Sequence, residues 1–354
     1  MSRVSRLFVI NRKGINVPRA LVTIGIFFIV LLVVVLVGEE KYWENVTFAA
    51  LFVGVSDPGG PYGARLRTMT WVALGGAFVT GLGYAIGGGP WLIVVIAAFV
   101  ITFLCGLTIK FGVHAFSAAL LVNSWFLVAI AVPEGHHWNA ASSGWWEQAL
   151  AWLVGAAFFI ALTFVGWLVK GRKEQATHFP EISGNTQTAL TRPVVLFFVI
   201  KALAIAIAVA IAFGFSIPNA DWMPIATLVA TQATLGQAAL ASEQRFVGAL
   251  FGALLAALLL FTVDNRRALE IVIVIFATVA AAFRGANYAI YCIFMAAVVL
   301  IVDDVSNPTN HSAEGRRVLF TFIGLGIGLV VLVLAGLIKK HSSKTPAEGV
   351  STAA

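Results

Sequence analysis

Apolar runs follow one another along almost the whole chain, with only short polar breaks between them. A helix needs about 20 apolar residues to cross a hydrocarbon core about 30 Å thick. The runs that we interpret as helices are 20–38, 43–56, 66–88, 90–109, 112–132, 146–169, 194–215, 222–235, 242–263, 267–283, 286–302 and 316–338. This pattern predicts an all-α integral membrane protein with about 12 transmembrane helices.

Composition agrees with a protein that lies almost entirely in the membrane. Of the 354 residues, 60% are hydrophobic and 11% are charged, whereas soluble domains contain roughly 25% charged residues. The net charge of +7 does not indicate nucleic-acid binding, because the basic residues lie at the ends of the apolar runs. Cys105 and Cys292 lie inside such runs, and we expect buried thiols without a disulfide or a metal.

The distribution of lysine and arginine predicts the orientation of the chain. With twelve spans, most of the basic residues fall on the side that also holds both termini, which makes that side cytoplasmic. The alternative treats the runs 43–56 and 222–235 as re-entrant loops, which gives two inverted halves of five spans. That alternative divides the basic residues almost evenly. We therefore predict a multi-pass protein of the cytoplasmic (inner) membrane with both termini in the cytoplasm.

The two halves of the chain carry matching signals, which indicates an internal repeat. Trp43 and Trp222 each open one of the two short runs, and Arg65 and Arg245 follow at nearly equal spacing. The predicted organisation is a first six-span repeat at 1–170, a cytoplasmic linker at 171–192, a second six-span repeat at 193–341 and a disordered cytoplasmic tail at 342–354. The repeats are parallel, and each has a short, interrupted second helix.

The two short runs predict the position of a binding site. A helix of 13 or 14 residues reaches only about 20 Å, so a polar break must complete each crossing. In the first half this break is DPGGPYG, beginning at Asp57. Short, interrupted spans at corresponding positions of two halves point to the substrate site of a transporter, because irregular backbone at membrane depth is tolerated where it lines a cavity.

The motifs around the second break resemble a known family. The opening Trp222 to Thr227, the break QATLGQA and the span from Arg245 to Ala253 are similar to the signature of the fusaric-acid-resistance-like (FUSC) family. That family comprises bacterial aromatic-acid exporters and is related to plant aluminium-activated malate channels. The first half departs from the signature, because Glu44 and Asn45 follow its Trp, and large cytoplasmic domains are missing.

The resemblance implies a membrane transporter that exports organic anions, with aromatic carboxylic acids as the expected substrates. Two alternatives stay open, a passive organic-anion channel and a membrane subunit of a larger efflux assembly. Expected partners are small organic anions, membrane lipids, and either a second copy of the chain in a homodimer or a periplasmic adaptor protein. The motifs HExxH and GxSxG and the P-loop are missing from the sequence, so we expect neither an enzyme nor a cofactor.

Candidate site residues follow from the chemistry of an anionic substrate, since cations beside a cavity attract carboxylates. Lys201 is the clearest example, because it lies eight residues inside Pro193 in an apolar run. The predicted substrate-binding residues are Arg65, Arg245, Lys201, Arg284, Lys110, Gln232, Gln237, Trp43 and Trp222. The candidates for proton coupling are His114, Glu243 and Asp57. The competing interpretation is that the cations only set topology and the two tryptophans only anchor the chain at the interface.

Overall fold

A computed structural model describes residues 7–15, 17–37, 40–132, 144–172, 188–231, 239–304 and 311–342. These residues form twelve α-helices and three short 3-10 turns, and they contain no β-strand. The helices are α1 Val17–Val37, α2 Trp43–Ser56, α3 Tyr62–Ile86, α4 Trp91–Leu107, α5 Val113–Ala131, α6 Trp145–Val169, α7 Arg192–Gly214, α8 Trp222–Ala230, α9 Ala239–Thr262, α10 Arg266–Phe283, α11 Tyr288–Asp304 and α12 His311–Ser342. The turns are Arg12–Gly14, Glu40–Tyr42 and Thr108–Phe111.

Every predicted apolar run coincides with a helix, which confirms an all-helical membrane protein. Six segments of the described chain are long and apolar enough to cross a membrane. They are Tyr62–Ile86, Trp91–Phe111, His114–Ala131, Trp145–Val169, Arg192–Gly214 and Gly315–Leu337. Helix α2 has the predicted bounds, whereas α8 ends at Ala230, before the predicted end at 235.

Contacts between α2, α3 and α6 show how the chain runs across the bundle. The Tyr42 hydroxyl before α2 donates to the Glu147 carboxylate near the start of α6, at 2.6 Å. Tyr62, the first residue of α3, stacks on Trp167 near the end of α6, with ring centroids 4.7 Å apart. Helix α2 therefore runs alongside α6 in the same direction, and α3 returns from the opposite end. We call these two ends of the bundle the Glu147 end and the Arg65 end.

Helix contacts within the first six helices recur in the last six. Helices α2 and α6 pack together, as do α3 and α5, α4 and α5, and α3 and α6. The corresponding pairs six helices later are α8 with α12, α9 with α11, α10 with α11, and α9 with α12, and each of them is also in contact.

The two sets of six helices meet through reciprocal pairs, since α4 packs against α7 and α10 packs against α1. Short segments without regular secondary structure accompany these pairs. The Thr188 amide, before α7, donates to the Ile109 carbonyl at 3.5 Å, and the Asn11 amide, before α1, donates to the Ala286 carbonyl at 2.9 Å. Helices α1 and α7 therefore begin at the same end of the bundle, the Arg65 end.

Glycines allow the helices beside the two short helices to approach closely. A Cβ atom added to Gly155 of α6 would overlap the backbone carbonyl of Val46 on α2. A Cβ atom added to Gly324 of α12 would overlap the carbonyl of Met223 on α8. Small residues at helix contacts are the usual means of close packing in membranes. Both short helices are thus held by backbone-to-backbone contact with the last helix of their own set.

Candidate functional site

The chain leaves α2 through a break that its sequence makes unavoidable. Pro58 and Pro61 have no backbone N–H to donate, which prevents a continuous helix. Gly59 and Gly60 between them have φ values of 71° and 78°, in the left-handed region that glycine adopts without strain. The helix consequently ends at Ser56, and α3 starts in a new direction at Tyr62.

Arg65 and Asp57 form a buried ion pair across this break. The Arg65 Nε donates to Asp57 Oδ1 at 2.9 Å, and its Nη2 donates to Oδ2 at 2.7 Å. The two side chains are exposed by only 3% and 9%, respectively. The Gly59 amide also donates to Asp57 Oδ1, at 2.9 Å. A two-pronged contact of this kind is the strongest way in which a guanidinium holds a carboxylate.

Arg284, from the turn between α10 and α11, brings the second set of helices to the same break. Its guanidinium Nη2 donates to the Val55 carbonyl in the last turn of α2. The Ser56 hydroxyl donates to the neighbouring Val53 carbonyl at 2.8 Å. Carbonyls at a helix C-terminus lack partners within the helix and carry partial negative charge, so a cation is favourable there. Arg65, Asp57 and Arg284 are therefore gathered within one short region, which we call the break cluster.

An aromatic group flanks the break cluster at the Arg65 end of the bundle. Tyr62 lies against Phe164 and Trp167 of α6, with centroid distances of 5.4 and 4.7 Å. The Arg65 guanidinium lies 5.9 Å from the Tyr62 ring, and the Arg172 guanidinium lies 5.9 Å from the Trp167 ring. Three rings between two guanidinium groups provide a surface for a flat, negatively charged molecule.

The end of α8 repeats part of the arrangement at the end of α2. The Thr231 hydroxyl donates to the Thr227 carbonyl at 2.7 Å and also lies 3.2 Å from the Leu228 carbonyl, so a hydroxyl caps carbonyls of the last turn here as the Ser56 hydroxyl does at the end of α2. Gln232 and Gln237, both predicted site residues, lie outside the described residues. Arg245 belongs to α9, but its side chain lies outside the described part of the structure.

Lys201 lies inside the bundle on α7, with 1% of the residue exposed. Its ammonium nitrogen is 5.8 Å from the centroid of the Phe116 ring on α5, and Phe197 and Phe198 are buried one turn before it on α7. This ring contact is with α5 rather than with the break cluster.

The remaining predicted site residues are dispersed. Trp222 is buried at the start of α8, while Trp43 starts α2 and its side chain lies outside the described part. Lys110 is exposed in the turn after α4, and His114 and Glu243 are half-buried on α5 and α9. Of the predicted set, the structure brings together Arg65, Asp57 and Arg284.

Sequence reasoning missed a second polar group, at the Glu147 end. Asn45 is fully buried on α2, and its amide nitrogen donates to Gln148 Oε1 at 2.6 Å and to the Tyr84 hydroxyl at 2.9 Å. Together with the contact between Tyr42 and Glu147, this group ties the start of α2 to α3 and α6. The signal in the sequence was the presence of polar residues near the starts of two otherwise apolar runs, Asn45 in 43–56 and Glu147 and Gln148 in 146–169.

Comparison with known proteins adds one match. Residues 205–331 match the family described as "Fusaric acid resistance protein-like". The chain carries a fusaric acid resistance protein-like segment. This match confirms the resemblance predicted from the sequence for the second half of the chain. No curated protein and no solved structure gave a significant match.

The fusaric acid resistance protein-like segment runs from α7 into α12, so it includes Arg284, whereas Lys201 lies just before it on α7. Arg65 and Asp57 lie before it. The break cluster therefore joins one residue from the matched segment with two residues that come from the preceding half of the chain.

Proposed function

We propose that the protein exports organic anions, with aromatic carboxylic acids as substrates, across the cytoplasmic membrane. The observation that carries this proposal is the bidentate contact of Arg65 with the buried Asp57 carboxylate. This contact lies at the helix break after α2, where Arg284 from the other set of helices also donates a hydrogen bond. A carboxylate that leaves water needs compensating donors, and the break cluster already supplies them to Asp57.

The aromatic group beside Arg65 supports aromatic acids as the substrate class. A carboxylate held by Arg65 would place an attached ring next to Tyr62, which stacks on Trp167. Lys201 and Lys110 add positive charge to the path in this proposal, and Gln232, Gln237 and Arg245 form the matching part of the site after α8. Trp43 and Trp222 contact the substrate at the opposite ends of the two short helices.

We further propose that the chain crosses the membrane twelve times as two parallel repeats, with the polar breaks after α2 and α8 completing the two short crossings and the Arg65 end in the cytoplasm. Two observations support this topology. Helices α1 and α7 begin at the same end of the bundle, and α2 and α3 run in opposite directions between the two ends. Arg65, Lys110 and Lys170 all belong to the Arg65 end, as expected if positive charge is retained on the cytoplasmic side.

Flux through purified protein in liposomes tests the function. Liposomes that contain the protein and are loaded with radiolabelled benzoate should release it faster than protein-free liposomes, and a pH gradient should move benzoate uphill faster than it does in protein-free liposomes, where only neutral benzoic acid crosses. Voltage-dependent current without uphill movement would instead identify a passive channel. Absence of flux by the protein alone, with flux restored by a periplasmic adaptor, would identify a subunit of an efflux assembly.

The benzoate assay has a control within the chain. Arg65→Gln removes the charged fork but leaves a hydrogen-bonding side chain, so benzoate release should fall about tenfold or more, the factor that corresponds to about 1.4 kcal/mol. Arg67→Gln changes a neighbouring exposed arginine on the same helix and should leave release near the parent level. Equal benzoate release by both variants and the parent would show that Arg65 does not bind the substrate.

A further inference from the structure

Asp57 has the contacts that a substrate carboxylate would need. Each of its oxygens accepts one prong of the Arg65 guanidinium, and Oδ1 also accepts the Gly59 amide. Asp57 is not embedded in a helix, because it is the first residue after α2 and stands at the start of the Pro-Gly-Gly-Pro loop. The carboxylate therefore belongs to a connecting segment rather than to the rigid body of the bundle.

We propose that Asp57 is a displaceable internal ligand of Arg65. It occupies Arg65 when no substrate is bound, gives way to the carboxylate of the substrate, and pairs with Arg65 again when the substrate leaves. This inference rests on the proposed function, since it assigns a role in the transport cycle to a residue of the same site.

The burial of Arg65 is the first reason for this role. Its side chain is only 3% exposed, and a buried guanidinium that loses its anion is strongly destabilised. A transporter that used such an arginine alone would face that cost whenever the site was empty. Exchange of one carboxylate for another keeps Arg65 paired before and after the substrate binds.

The second reason concerns release. A transport site must hold its ion strongly enough to take it up and weakly enough to let it go. Asp57 competes for Arg65 from within the protein, so the net gain on substrate binding is the difference between two similar carboxylate contacts. This difference keeps the affinity modest and speeds the departure of the substrate.

The third reason is a mechanical link between the two sets of helices. Arg284 donates to the Val55 carbonyl, two residues before Asp57, and Gly59 and Gly60 follow on the other side with positive φ. A shift of the α10–α11 turn relative to α2 would act directly on the segment that carries Asp57. The glycines allow this segment to change conformation without a Cβ clash.

Thermal unfolding of purified protein tests the exchange without any transport assay. Asp57→Ala should unfold at a lower temperature than the parent, and sodium benzoate should raise its midpoint by several degrees more than it raises that of the parent. Sodium chloride at equal ionic strength and benzyl alcohol, which lacks the carboxylate, should not reproduce the rise. The double variant Arg65→Gln/Asp57→Ala, which keeps the net charge of the parent, should lose the response to benzoate.

Transport kinetics supply a second readout that a merely structural role would not change. Asp57→Asn keeps the size of the side chain but removes the competing charge. Its KM for benzoate should fall about tenfold, which corresponds to about 1.4 kcal/mol of lost competition. Its kcat should fall as well, because release of benzoate from Arg65 slows when no internal carboxylate competes for the guanidinium. If Asp57→Ala yields no folded protein, the unfolding comparison is made with Asp57→Asn under the same criteria.

The outcomes separate this inference from the proposed function. Equal benzoate responses in the parent, the Asp57 variants and the double variant would overturn the displaceable role of Asp57, as would an unchanged KM in Asp57→Asn. A parent protein that moves no benzoate in liposomes would instead overturn the proposed function. Stabilisation of Asp57→Ala by benzoate in that case would still show that Arg65 accepts a free carboxylate.

Discussion

At the scale of single residues, buried cations are the informative feature of this chain. Lysine and arginine are rarely fully buried, yet Arg65 and Lys201 are exposed by only 3% and 1%. The Arg65 side chain pairs with Asp57. The Lys201 ammonium lies beside the Phe116 ring inside the bundle, and an ionisable group at such a position in a membrane protein is a candidate functional residue.

We expect Lys201→Met to reduce benzoate efflux about fivefold or more, the factor that corresponds to about 1 kcal/mol of lost attraction for the anion. Methionine fills a similar volume, so the variant should remain folded in the membrane. Leu203→Met is the matched control, because Leu203 is exposed two residues away on the same helix. Efflux by Lys201→Met at the level of the parent would show that the cation lies outside the path of the anion.

At the scale of helices, the two short helices owe their positions to glycines on their neighbours. Gly324 of α12 lies against the backbone of Met223 and the side chain of Ala226. The Thr227 hydroxyl also donates to the Gly324 carbonyl at 3.1 Å. Helix α8, although only nine residues long, is thus fixed by close contact along α12 rather than by its own length.

Gly324→Ala should destabilise the protein by about 1–3 kcal/mol, because the added methyl group overpacks the contact with α8. Gly326→Ala, two residues along the same helix, has no atom within 4 Å of the added Cβ and should stabilise α12 by about 0.5–1 kcal/mol. Thermal unfolding in detergent measures both changes. A similar decrease in both midpoints would contradict the glycine contact as the cause.

Several of these elements could be predicted from the sequence, and the reasons are local. Helix α2 has its predicted bounds because Trp43 opens an apolar run and Pro58 closes it. The pairing of Asp57 with Arg65 depends on the path of the loop between them, which apolar periodicity does not determine. Arg284 and Val55 are separated by 229 positions, and their contact depends on tertiary packing in which α1 lies against both α2 and α10.

At the scale of the whole molecule, the proposed parallel topology places the two ends of the bundle on opposite sides of the membrane. In a chain with Cys105→Ala and Cys292→Ala, Gly88→Cys should react with an impermeant maleimide added outside intact cells. Gly88 is exposed and adjoins the Glu147 end. Ala189→Cys, exposed before α7, should react only after the membrane is permeabilised. The opposite labelling pattern would overturn the cytoplasmic assignment of the Arg65 end.

The contact between α1 and α10 also determines the order in which the protein can be completed during synthesis. Helix α1 leaves the ribosome first, but a principal neighbour of its outer face is among the last helices to be made. Until α10 has been inserted, this face of α1 remains in contact with lipid or with an insertion factor, while α4 acquires its neighbour α7 earlier. A nascent chain that stops before α10 therefore leaves uncovered the face of α1 that α10 covers in the finished protein.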